Sequence, residues 1–237
     1  MKTIGLLGGL SWESTLEYYR MINQGVRERL GGLHSARCLL NSLDFAEVEA
    51  LFHAGFWDET AAMLAQAARQ LERGGADILL ICSNTMHKLA PQVQAAVALP
   101  VLHIADATAA RVLSQGISRV GLLGTRITME DTFYRQRLVD PFGLEVLLPY
   151  AADRLEVDRI IFDELVVGEI RPASRTIYRR VMHDLASRGA QAIILGCTEI
   201  VLLVSPEDSP VPLFDTTRIH AEEAIEWAFR SVTAASG

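Results

Sequence analysis

Of the three cysteines, Cys38, Cys82 and Cys197, one stands where chemistry is done. Cys197 lies in Gly196-Cys197-Thr198-Glu199, directly after the apolar run Ala192-Ile193-Ile194-Leu195. Ser83-Asn84-Thr85-Met86-His87 follows Ile78-Leu79-Leu80-Ile81-Cys82 in the same way. A thiol just past a buried strand is placed like a reactive group, since its thiolate is both base and nucleophile. Cys82 comes one residue before Ser83 and is directed by strand alternation to the opposite face, as an inert core cysteine would be. Cys38, in Arg37-Cys38-Leu39-Leu40, also reads as core. No C-x-x-C spacing proposes a disulfide framework or a zinc site. Gly8-Gly9-Leu10-Ser11-Trp12-Glu13-Ser14-Thr15 is a glycine turn opening a helix. Its N–H groups and hydroxyls could hold a carboxylate or phosphate, or serve only as a turn and N-cap. It lacks the G-x-G-x-x-G pattern of a dinucleotide site. Hydroxyl and amide donors around a single thiol suit acid–base or nucleophilic work on a carboxylate substrate.

Such residues need a scaffold that sets them at strand ends. Apolar runs of strand length at 3–7, 36–43, 77–82, 101–104, 119–123, 145–147, 192–195 and 213–214 alternate with segments of helical period. Those segments are 14–30, 58–74, 105–115, 129–141, 157–168, 173–188 and 217–234. The alternation predicts βαβ units and a mostly parallel sheet, and runs such as Ile78-Leu79-Leu80-Ile81 are apolar on both faces, as strands under two helix layers are. The chain also repeats itself. Ile4-Gly5-Leu6-Leu7-Gly8-Gly9 recurs as Val120-Gly121-Leu122-Leu123-Gly124-Thr125, and Gly75 to Ser83 lies against Gly189 to Cys197 at nearly the same offset. The repeat predicts two duplicated α/β halves. Ligands of open parallel sheets bind beyond the carboxyl ends of the strands, which here are 8–15, 83–87, 124–128 and 197–199.

Half of the 237 residues are hydrophobic, which excludes disorder as the main theme. With 22 basic against 29 acidic residues the net charge is −7, and no basic stripe is present. That argues against nucleic acid or an anionic membrane as partner. No apolar stretch approaches the roughly 18 residues of a membrane span. The first residues make a poor signal peptide and a good strand, and an odd number of thiols suits a reducing cytoplasm.

The Ser83-Asn84-Thr85 strand end paired with Gly196-Cys197-Thr198-Glu199, after an N-terminal Gly-Gly turn, resembles the aspartate/glutamate racemase family over essentially the whole chain. Residues 1–14, 103–108, 122–129 and 215–221 are similar to its enterobacterial amino-acid racemase branch. The resemblance implies an α/β fold of two pseudo-symmetric Rossmann-like domains with parallel sheets, 1–104 with 215–237 and 105–214, and an active site in the interdomain cleft. It implies an isomerase that racemises a small-molecule amino acid without cofactor or metal. In that family one cysteine thiolate removes the α-proton and a second thiol returns one to the opposite face. The resemblance places this catalytic pair at Cys197 and at the position of Ser83. Gly9, Leu10, Ser11, Asn84, Thr85, Thr125, Thr128 and Thr198 would hold the substrate and stabilise the enolate-like transition state, preorganised donors being the strongest stabilisation open to such a site. A homodimer is common in the family, and Tyr18, Tyr19 and Met21 could supply its surface or belong to the core.

The chain departs from the family pattern at Ser83, where the resemblance places a cysteine; the internal repeat independently aligns Ser83 with Cys197. An alkoxide is scarcely available as a base, so the expectation is that Cys197 abstracts and Ser83, directly or through water, reprotonates, with racemisation faster in one direction. The competing arrangement is Cys82 rotated outward by a bulge. The family's grip on a distal carboxylate is also missing: Asp44-Phe45-Ala46-Glu47-Val48 offers no Arg, and Phe162-Asp163-Glu164-Leu165-Val166-Val167 no Lys. Aspartate or glutamate stays the default substrate, homoserine is nearly as plausible, and Arg126 or Lys88 could substitute as the cation. His87 either orients substrate or caps a helix, Glu199 either tunes Cys197 or holds its loop, and His220 reads as structural, tying the last helix to the first domain. The alternatives are a one-cysteine decarboxylase or isomerase of the same superfamily, and a two-lobed small-molecule binding module.

Overall fold

The computed structural model describes residues 1–233. Eight strands and eleven α-helices follow one another as β1 (Ile4–Gly8), α1 (Trp12–Leu30), β2 (Cys38–Ser42), α2 (Phe45–His53), α3 (Trp57–Arg73), β3 (Ile78–Ile81), α4 (Ala90–Ala96), β4 (Val101–Leu102), α5 (Ile104–Ser114), β5 (Arg119–Gly124), α6 (Arg126–Glu130), α7 (Thr132–Val139), β6 (Glu145–Leu147), α8 (Ala151–Asp163), α9 (Pro172–Ser187), β7 (Ala192–Gly196), α10 (Ile200–Leu203), β8 (Leu213–Asp215) and α11 (Thr216–Thr233). All pairings are parallel, in two four-stranded sheets ordered β2-β1-β3-β4 and β6-β5-β7-β8. The sequence repeat is therefore a repeat of topology. Ile4 registers with Cys38 and Ile78 in the first sheet, and Val120 with Val146 and Ala192 in the second.

The chain forms two compact units: Met1–His103 with the chain returning from His220, and Ile104–Ile219. In the first, Tyr18, Ile22 and Val26, one helical face of α1, and Ala221, Ala224 and Ala228 of α11 close over Ile4, Leu6, Ile78 and Leu80. In the second, Leu122, Ile193 and Ile194 lie among Val157, Ile160, Tyr178 and Val181. The near-continuous apolar strands are required by this two-layer burial. Among the described residues no helix is long and apolar enough to cross a membrane.

The differences from the sequence reading are local. The segment read as one helix over 129–141 is two, because Asp131 is extended (φ −69°, ψ 152°) between α6 and α7. The helix expected at 157–168 starts at Ala151 and ends at Asp163; Glu164 leaves helical geometry, and a 3-10 turn closes on Gly168 at φ 78°. Helix α2 was not anticipated, although Asp44 caps it and Val48 and Phe52 are its buried positions. The expected extension of the last helix to Ala234 falls outside the described residues.

Candidate active site

In the first unit, β1 ends at Gly8 and the chain turns at Gly9 with φ 74°. A Cβ there would meet the Leu43 carbonyl oxygen at 2.0 Å, so only glycine fits. The Gly9 N–H donates to Thr15 Oγ1 (2.8 Å), Thr15 Oγ1 donates to the Ser11 carbonyl (2.8 Å), and Ser11 Oγ accepts the Ser14 N–H as N-cap. Ser11, Ser14 and Thr15 are buried. These hydroxyls hold the turn and the start of α1, which is the capping role, and the Gly9 N–H is engaged with them. Leu10 is buried beside them and Trp12 is exposed.

Beyond β3, Cys82 is wholly buried in the apolar cluster under α1 and α11, and burial pushes its thiol far up. It stands apart from the strand end, where the half-buried Ser83 is the next residue. Cys38, read as core, is half-buried, with its thiol pushed up to about 11 by burial. Ser83 Oγ accepts the Met86 N–H (3.4 Å). Asn84 and Thr85 are buried at the head of a 3-10 turn, Thr85–Leu89, that also carries His87. His87 Nδ1 lies 2.6 Å from the Ser83 carbonyl oxygen. A carbonyl only accepts, so Nδ1 carries the proton and donates.

The second unit repeats the pattern. Thr125 caps α6 by accepting the Thr128 N–H (3.2 Å), and the two hydroxyls are 3.1 Å apart, as are those of Ser11 and Ser14. Gly124 and Gly196 leave room at the ends of β5 and β7 for Thr128, whose methyl group a Cβ at either glycine would crowd. Cys197 follows Gly196 and is only 8% exposed. Its Sγ–H donates to Glu199 Oε2 (3.0 Å), and Thr198 Oγ1 donates to the same oxygen (2.6 Å). Burial first, then the Glu199 carboxylate, hold the Cys197 thiol well above its ordinary range. The resting group is therefore a neutral thiol already aimed at a proton acceptor. Tyr178 and Asp158 complete its surroundings: Tyr178 is fully buried and donates to the Val157 carbonyl, and Asp158 accepts the Arg126 N–H (2.7 Å). Neither was singled out from sequence, for nothing in their spacing ties them to Cys197.

The two cations proposed for a distal carboxylate already have partners. The Arg126 guanidinium donates to Glu130, which also accepts from Arg154, and the Lys88 ammonium lies over the Trp57 ring at 3.9 Å. Glu164 is buried against Ser174, Arg159 and Arg171 and serves the fold. His220 accepts the Tyr18 hydroxyl at Nδ1 and donates from Nε2 to the Leu102 carbonyl, both at 2.9 Å. Among the described residues no group of three or more His, Cys, Asp or Glu side chains could hold a metal ion.

The doubled parallel α/β fold thus carries a thiol–carboxylate pair at one strand end and a hydroxyl at the equivalent end of its repeat. The chain belongs to the Asp/Glu/hydantoin racemase family, whose model matches residues 7–224, and its racemase homologues are isomerases. It is similar to a solved Yersinia pestis structure assigned to the Asp/Glu racemases, with 54% identity over 96% of this chain and 99% of the other and a TM-score of 0.91. An aspartate racemase homologue from Pyrococcus horikoshii shares 36% identity over 96% and 99% of the two chains, with a TM-score of 0.83. The broad-specificity amino-acid racemase RacX of Bacillus subtilis is 23% identical over 71% of this chain and 72% of its own.

Proposed function

We propose that this protein racemises aspartate, glutamate or a small polar relative such as homoserine without pyridoxal phosphate, using Cys197 and Ser83 as unequal proton carriers. The observation that carries the reading is the Cys197 Sγ–H donated to Glu199. An amino-acid α-proton is far less acidic than a thiol, so the base must be a thiolate made at the moment of need. Glu199 can take the thiol proton as Cys197 takes the α-proton, and return it afterwards. The enolate-like charge that develops is met by hydroxyl donors among Thr85, Thr125 and Thr128 and by the Asn84 amide, while Thr198 keeps its proton on Glu199. Ser83 delivers a proton with inversion but scarcely removes one.

Enantiomers have equal free energy, so kcat/KM is equal in the two directions. The inequality of the carriers is confined to kcat and KM taken separately and to hydrogen exchange without inversion. Asp158 and Glu199 suit an α-ammonium, and a distal carboxylate would share the Arg126–Glu130–Arg154 group. The odd thiol count supports work in a reducing cytoplasm.

The test is Cα deuterium uptake from heavy water by L- and D-aspartate, glutamate and homoserine, followed by proton NMR and chiral analysis. One enantiomer is expected to exchange with retention much faster than the other, Cys197→Ala to abolish all exchange, and Ser83→Ala to lose inversion while keeping exchange. Exchange that survives in Cys197→Ala overturns the reading, and a fully active Ser83→Ala removes Ser83 from it. A second reading, single-thiol decarboxylation of a malonate-type substrate, is favoured by the burial of Cys82, which leaves one thiol at the strand ends; CO2 release would single it out.

A further inference from the structure

His87 lies outside the proton-transfer scheme, yet its imidazole is firmly held at the Ser83 strand end. It is 1% exposed. Its Nδ1–H donates to the Ser83 carbonyl at 2.6 Å, at the short end of N–H···O hydrogen bonds. Its ring meets two others edge-on: His103 at 4.7 Å between centroids and His220 at 5.5 Å. His103 is the last residue of the first unit before the chain leaves it, and His220 the first after it returns. His220 is itself fixed on both nitrogens, by Tyr18 and by the Leu102 carbonyl. A chain of contacts thus runs from α1 and the end of β4 through His220 and His87 to the backbone of Ser83.

The Ser83 hydroxyl receives one long hydrogen bond, from Met86 N–H at 3.4 Å, and the Ser83 N–H donates to the Ile81 carbonyl at 2.9 Å. The carbonyl that His87 grips is bonded to the Cα that carries the Ser83 hydroxyl, so this grip anchors the backbone from which the hydroxyl projects. We infer that His87 is a positioning residue: acting through the Ser83 backbone rather than on substrate, it fixes the Ser83 hydroxyl for the inverting proton transfer. The inference rests on the proposed role of Ser83.

Asparagine places its Nδ2 donor nearly where histidine places Nδ1, whereas glutamine places its amide nearer Nε2. The experiment compares wild type, His87→Asn, His87→Gln and His87→Ala in the heavy-water assay, reading for each the ratio of inversion to exchange with retention. Exchange with retention runs through Cys197 and Glu199, which lie in the other unit, whereas inversion also needs Ser83. His87→Ala and His87→Gln are expected to lower the ratio roughly tenfold, the effect of losing one hydrogen bond, and His87→Asn to restore it within about twofold. A merely structural His87 would lower inversion and exchange together and leave the ratio unchanged, and that result overturns the inference. So does a wild-type ratio in His87→Gln, or nitrogen-15 NMR that finds the His87 proton on Nε2. Failure of the racemase reading is distinguishable, because wild type itself would then show no exchange.

Discussion

Protonation of His220 should be a main acid sensitivity of the first unit. Burial first, then the neighbouring His87, lower its pKa from 6.5 to about 3, against the pull of the Leu102 carbonyl that accepts from Nε2. The groups around it are Tyr18 from α1, His87 from the 3-10 turn and the end of β4. Its folded pKa is depressed, so between about pH 6.5 and pH 3 only the unfolded chain binds this proton. The stability His220 contributes is complete above pH 6.5, declines as pH falls through that window and is gone below pH 3. The full loss is about 5 kcal/mol, and the part lost between pH 7 and pH 5 is about 2 kcal/mol. The perturbation is His220→Gln, whose amide can still donate to Leu102 but does not ionise. Trp12, Trp57 and Trp227 all belong to the first unit, so urea unfolding followed by tryptophan fluorescence reports on that unit. Wild type should lose about 2 kcal/mol more than His220→Gln between pH 7 and pH 5, while groups that titrate alike in both proteins cancel. An equal loss in both would refute the reasoning.

The same geometry sets other outcomes. Gly9→Ala should cost at least about 3 kcal/mol, because positive φ and a 2.0 Å approach to Leu43 act together. Gly116→Ala, also at positive φ but with nothing within 4 Å of the new methyl, should cost about 1 kcal/mol; equal losses in thermal melts would contradict this. In the native protein at pH 8 none of the three thiols should react with a disulfide reagent as fast as a free cysteine, and all three should react in urea. A fast native thiol that is absent from Cys197→Ala would mean that Cys197 rests as thiolate. Glu199→Gln cannot accept the Cys197 proton and should lower Cα exchange about 10²-fold or more, with the fold unchanged by circular dichroism; normal exchange would remove Glu199 from the reaction. Asp208, held down to about 2 by Arg175 and by the Ser205 N–H and hydroxyl, contributes stability that is present above pH 4 and lost as pH falls through 2. Asp208→Asn should cost about 1 kcal/mol at pH 7, allowing for the exposure of Arg175, and only a small fraction of that at pH 2.

Much of the scaffold was written in local pattern. Ile4-Gly5-Leu6-Leu7-Gly8 and Val120-Gly121-Leu122-Leu123-Gly124 are strands because runs apolar on both sides, this short and ending in glycine, bury best between two helix layers. Their recurrence matches the shared strand order of the two sheets. The same pattern put Ser83 and Cys197 just past equivalent strands and put Cys82 in the core. Helix ends were less legible. Whether Asp131 continues a helix or breaks it, or Asp44 opens one, depends on which neighbours bury the flanking apolar residues, and periodicity alone does not carry that.

The site divides along the same line. Residue type and position along the chain determined which groups stand at the strand ends: a thiol, a hydroxyl, glycines that allow close turns, and the capping hydroxyls of Ser11 and Thr125 at the starts of α1 and α6. Tertiary structure alone decided their condition. It buried Cys197 and set Tyr178 and Asp158 around it, gave its proton to Glu199, paired Arg126 with Glu130 and Lys88 with Trp57, and laid His103 and His220 against His87. The physical reason is that proton affinity and charge pairing depend on distance and dielectric, quantities set by residues far apart in the chain and brought together only when it folds.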